Sequence, residues 1–114
     1  MVVDDEKLIG ELCVAMLNAE GFETLFFSNI KDALNKLENT QVDFIISDIN
    51  MPEGDGIEFK TKLNENKNLT PFLFMTGFSS LSPEVLKGLN VLGVIKKPFN
   101  FNNLNFYLEN SFNK

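Results

Sequence analysis

The stretch Val42 to Gly56, VDFIISDINMPEGDG, constrains this chain more than any other. Val42, Phe44, Ile45 and Ile46 form a near-continuous apolar run. Such a run is the pattern of a parallel strand buried on both faces, because neither face meets water. It stops at Asp48, after which Met51-Pro52 and Asp55-Gly56 read as loop residues. In an open α/β sheet, ligands bind outside the carboxyl ends of the strands. Asp48 is therefore expected where such a fold does its chemistry.

The rest of the chain supplies the other layers. Met1-Val2-Val3 runs into Asp4-Asp5-Glu6, a short strand and its carboxyl end. From Lys7 to Glu20, Ile9, Leu12, Cys13 and Met16 follow the spacing of one helical face, and Gly21 supplies the stop. Phe22 to Phe27 reads as a second strand, and Ser28 or Asn29 caps a helix with Ile30, Ala33, Leu34 and Leu37 inward. A third helix spans Gly56 to about Leu63, with Ile57, Phe59 and Leu63 on or near the inner side. Pro71 opens a fourth buried strand, Phe72 to Met75, which ends at Thr76-Gly77. Ser82-Pro83-Glu84 has the cap, proline and acid of a short helix start. Val91 to Ile95 reads as a fifth strand ending in Lys96-Lys97-Pro98, and a last helix begins near Asn100 with Phe101, Leu104, Leu108 and Phe112 in one stripe. Five strands alternating with five helices make βαβ units, which demand a parallel sheet with helices on both faces. Right-handed crossovers with one reversal beside the first strand predict a doubly wound α/β sheet of strand order 2-1-3-4-5.

Composition removes several functions. At 114 residues with 44% apolar content, the chain is expected to be one domain, residues 1–114. The formal charge is −6 and every basic residue is a lysine, which argues against direct nucleic-acid binding. The absence of histidine removes the usual general base, any histidine metal site and any histidine phosphotransfer role. Cys13 stands alone and no leader or long apolar run appears, so a cytoplasmic protein with no membrane partner is expected.

A lone acid at a strand end is most often a solvated loop residue. Asp4, Asp5 and Asp48 differ because the predicted topology brings them together, where three carboxylates repel unless they protonate or a cation neutralises them. A hard ion with oxygen ligands, Mg²⁺ above all, is the economical answer. Thr76 and Lys97, at the ends of the fourth and fifth strands, bring a hydroxyl and an ammonium to the same rim. The set suits an aspartate oxygen attacking phosphorus, with a metal and an ammonium balancing the phosphoryl charge and a hydroxyl donating to it. Lys96 competes with Lys97, but alternation along a strand points it the other way.

These residues, in this order, resemble the receiver domain of two-component response regulators over nearly the whole chain. The matching parts are Asp4-Asp5 after a strand, Asp48 with Met51-Pro52 and Asp55-Gly56 downstream, Thr76 after the fourth strand, and Lys97-Pro98-Phe99. The resemblance implies a flavodoxin-like three-layer sandwich. It makes Asp48 the phosphoacceptor, Asp4 and Asp5 the acidic metal pair, and Asn50 the source of a backbone carbonyl for Mg²⁺. Lys97 becomes the phosphate contact and Thr76 the hydroxyl switch. It also implies a cis Lys97-Pro98 bond, and influence of Asn50 and Phe78 on the lifetime of the acyl phosphate. The implied donor is a histidine kinase or a phosphotransfer protein, and the family's dimer option is a homodimer through the fourth helix, fifth strand and fifth helix. In many receivers more apolar residues precede the acids than Met1, Val2 and Val3 here, so a chain trimmed at its start is expected, and an aromatic often stands where this chain has Val94. An unphosphorylated pseudo-receiver, a Mg²⁺-dependent aspartyl phosphatase and a flavin-binding domain are the competing readings. The phosphatase lacks the usual second acid two residues after the nucleophile, where Asn50 stands. A receiver is not expected to turn over as an enzyme.

Overall fold

A computed structural model describes residues 1–51, 55–77, 83–97 and 99–112. The elements follow in the order β1 (Val2–Val3), α1 (Lys7–Ala19), β2 (Phe26–Phe27), α2 (Ile30–Leu37), β3 (Ile45–Asp48), α3 (Gly56–Glu65), β4 (Phe72–Thr76), α4 (Pro83–Leu89), β5 (Val94–Lys96) and α5 (Phe101–Phe112). The strands form one parallel sheet of order β2-β1-β3-β4-β5, the expected doubly wound arrangement. Local chemistry sets several of the helix starts. The Asn29 side chain accepts from the Asp32 N–H at 2.8 Å, and Asp55 does the same for Glu58 at 2.8 Å. Asn100 and Asn103 cap α5 reciprocally, each side chain accepting from the other's N–H at 3.0 and 3.1 Å. Each cap satisfies an N–H that a helix start otherwise leaves without a partner.

The sheet separates two apolar layers, which accounts for the unbroken run in β3. Ile46, Leu73, Met75 and Ile95 meet Cys13 and Leu17 of α1 and Leu104 and Leu108 of α5. Ile45, Phe72 and Phe74 meet Ala33 of α2 and Phe59 and Leu63 of α3. Successive strand residues thus serve opposite layers, and all are apolar because both layers are dry. On the second side the Phe59, Phe72 and Phe74 rings pack edge to face, with centroids 5.5 and 5.2 Å apart.

Several boundaries differ from the sequence reading. Leu12 was expected to face inward, yet it is 59% exposed, while Gly10, Cys13 and Leu17 are buried. The cause is the Phe26 ring, which lies where a Cβ on Gly10 would be. That approach turns the buried arc of α1 toward positions 10, 13 and 17 and leaves Leu12 outside. β2 holds only Phe26–Phe27 of the expected six residues, because β1 presents only Val2 and Val3 as ladder partners. β5 begins at Val94 rather than Val91, although Leu92 N–H still donates to Phe72 O at 2.9 Å. α3 buries Lys60 beside Phe59, its amine 5.6 Å from the Phe72 ring centroid. A long stem over an aromatic face makes such burial tolerable. The expected cap at Ser82 lies outside the described residues.

Candidate functional site

The strand ends at the carboxyl edge build the site. Asp4 follows β1 and is completely buried; its N–H donates to Phe27 O at 3.1 Å and its Oδ1 accepts from the Glu6 N–H at 2.9 Å. Asp48 closes β3, paired in register with Met75, and Thr76 closes β4, buried like Asp48. The Lys97 N–H donates to Thr76 O at 2.7 Å, so the residue after β5 is fixed to the end of β4.

Lys97 is the centre of the arrangement. Its Nζ lies 2.9 Å from Asp4 Oδ2, 3.3 Å from Asp48 Oδ2 and 3.4 Å from Glu6 Oε1, with the lysine side chain only 8% exposed. Burial works against the charged amine, but the Asp4 and Asp48 carboxylates outweigh it and hold Lys97 above its ordinary pKa. Burial pushes the Asp48 carboxyl up to about 6, against the pull of Lys97 and with some help from Asp4, while the Asn50 N–H hydrogen bond opposes the rise. At neutral pH Asp48 is therefore mostly ionised and needs no base to act as a nucleophile.

The carboxylates of Asp4, Glu6 and Asp48 can offer oxygens within 4.8 Å of one another. Three carboxylates against one ammonium leave a net negative charge, and all the donors are hard oxygens, so the residues fit a Mg²⁺ ion. Asp5 is exposed and stands outside that group, and Asn50 is exposed beyond the end of β3. Lys96 is exposed at the end of β5, as alternation requires, while Val94 is half-buried against the α2, α3 and α4 layer. Glu6 is a member of the pocket that the sequence does not single out; it is the N-cap residue of α1, where its side chain makes no cap hydrogen bond. The Lys97-Pro98 bond and Phe78 lie outside the described residues.

Two consequences follow for the resting protein. In the folded state Asp48 keeps a proton that the unfolded chain releases between about pH 4 and pH 6, so this group's contribution to stability falls as pH rises through that window. Asp48→Asn should therefore be more stable than wild type by about 1 kcal/mol at pH 7.5 without metal, a gain limited because Lys97 loses a counter-charge. The difference should shrink toward pH 4, and paired denaturant titrations at the two pH values check it. Asp4→Asn should act the other way. The expected strain of crowded acids is answered by Lys97, and a neutral residue 2.9 Å from that buried amine removes its nearest counter-ion. A loss of about 1–2 kcal/mol in metal-free buffer is expected, short of a fully broken buried pair because Asp48 and Glu6 remain.

The fold is thus a doubly wound parallel α/β sheet with a carboxylate and ammonium pocket at its carboxyl edge, beside the first strand. The chain belongs to the response regulator receiver domain family, whose sequence model matches residues 1–109. Transcriptional regulatory protein PcoR of Escherichia coli is 34% identical over 107 residues, covering 91% of this chain and 46% of that protein. Regulatory protein AtoC of the same species is 28% identical over 111 residues, covering 96% of this chain and 24% of its own length. The chain thus spans less than half of these relatives. Among solved structures, chemotaxis response regulator CheY4 of Vibrio cholerae superposes with a TM-score of 0.85 at 30% identity, over 97% of this chain and 95% of its own. Response regulator TrrA of Thermotoga maritima, in complex with Mg²⁺ and BeF, gives 0.85 at 30% identity, over 97% and 96%. Among the described residues no helix is long and apolar enough to cross a membrane.

Proposed function

We propose that this chain, over residues 1–114, is a phosphoacceptor domain that takes a phosphoryl group on Asp48 from a histidine kinase or a phosphotransfer protein. The observation that carries the reading is the Lys97 amine held 3.3 Å from Asp48 and 2.9 Å from Asp4. An Asp48 oxygen forms the new bond to phosphorus as the donor's bond breaks and its leaving group departs with the electron pair. Lys97 then exchanges a carboxylate oxygen for a phosphoryl oxygen, and the Thr76 hydroxyl donates to another. Asp4, Asp5 and Asp48 with the Asn50 carbonyl would hold Mg²⁺. When bound, Mg²⁺ supplies positive charge against the phosphoryl oxygens. The domain signals rather than turning over substrate, in the cytoplasm, through a homodimer face of α4, β5 and α5, without touching nucleic acid or membrane itself.

Intact mass after incubation with Mg²⁺ and an acyl phosphate tests the reading. One phosphoryl group is expected on wild type. An unlabelled wild type would leave a pseudo-receiver, and sustained phosphate release would make the chain a phosphatase.

A further inference from the structure

The carboxylate of Glu6 reaches the Lys97 amine from the solvent side. Its Oε1 lies 3.4 Å from Nζ, and the side chain is 61% exposed, whereas the other two acids on that amine are buried. Glu6 stands at the N-cap of α1 without using its side chain as a cap, while its N–H is already given to Asp4 Oδ1 at 2.9 Å. Asp, Asn, Ser or Thr would serve the helix better at that position. The side chain is thus spent on the pocket. We infer that Glu6 is a specificity-determining residue, a negative charge at the mouth that shares Lys97 and discriminates against highly charged small phosphodonors.

The physical basis is competition for one ammonium. A small acyl phosphate arrives carrying two negative charges and must draw Lys97 away from its carboxylates while passing Glu6. The Asp48 oxygen–phosphorus bond forms as the donor's phosphorus–oxygen bond breaks, and the released carboxylate leaves with the electron pair. Glu6 raises the cost of the approach but takes no part in the exchange of bonds. Its effect therefore falls on donor half-saturation more than on the limiting rate. A side chain this exposed is screened, so the effect is modest, roughly two- to five-fold.

The inference rests on the phosphoacceptor reading, and the test separates the two. With acetyl phosphate and saturating Mg²⁺, Glu6→Gln should lower the donor half-saturation roughly two- to five-fold with a near-constant limiting rate, and high salt should erase the difference. Glu6→Asp keeps the charge near the mouth but shortens its reach to Lys97, so its half-saturation should fall between those of wild type and Glu6→Gln, which a purely structural role would not predict. Calorimetric Mg²⁺ affinity should change by less than about five-fold in Glu6→Gln. Unchanged or raised half-saturation in Glu6→Gln overturns the inference. A tenfold or greater loss of Mg²⁺ affinity overturns it too, since Glu6 would then be a metal ligand. Failure of wild type to take up any phosphoryl group defeats the underlying reading instead.

Discussion

Asp48→Asn will take up no phosphoryl group under conditions that label the wild type, a loss of about 10⁴-fold or more in rate. The amide has no ionised oxygen to attack phosphorus, and the other carboxylates on Lys97 among the described residues, Asp4 and Glu6, follow the first strand and not the central one. The variant should nevertheless fold, because an amide oxygen still accepts from the amine in the same buried site. A native heteronuclear spectrum with no mass shift is the expected pair of results. Labelling that persists in a folded Asp48→Asn would place the acceptor on another acid. Loss of folding is not expected, since the metal-free protein should gain stability from the same change at neutral pH.

Gly56→Ala should cost about 3 kcal/mol and lower the thermal midpoint by about 10 °C or more. A Cβ at Gly56 would run into the backbone oxygen of Asp48 and sit 2.9 Å from the Phe74 ring. The ring could shift a little, but the carbonyl belongs to the strand that carries the acceptor. The Gly56 N–H also donates to Ile49 O at 2.8 Å, so α3 cannot retreat without losing that bond. Gly88→Ala is the control, because a Cβ there meets nothing within 4 Å. It should stabilise by about 0.5–1 kcal/mol through helix propensity. Equal midpoints for Gly56→Ala and wild type would show that α3 and β3 can part more easily than the packing suggests.

The sheet was legible because its information is local and repeated. Phe72 to Met75 and Phe44 to Ile46 announce buried parallel strands by their lack of polar alternation, and the Asp55-Gly56 pair marks the loop after the central strand. The places of Asp48 and Thr76 at the strand ends were legible for the same reason, since each stands where an apolar run ends, whereas Lys97 had to be separated from Lys96 by strand alternation. Other features were not, because they depend on what approaches from elsewhere in the chain. Leu12 fits a helical face by spacing alone, and only the Phe26 ring against Gly10 decides that the face lies elsewhere. Lys60 reads as a polar surface position and is buried by the aromatic face of Phe72, a contact twelve residues away in sequence. Glu6 reads as one more acid in a row. Only the reach of Lys97 back across the sheet gives it a partner.

The division of the interior by the sheet has an evolutionary consequence. Adjacent residues such as Ile45 and Ile46, or Val94 and Ile95, contribute to compartments that do not touch. A change of volume on the α2, α3 and α4 side must be absorbed among the helices of that side, while α1 and α5 keep their seating. The helices of one flank can then drift toward new partners without repacking the other. Asp4 and Asp48 stay in place throughout, because they sit on the edge of the wall itself.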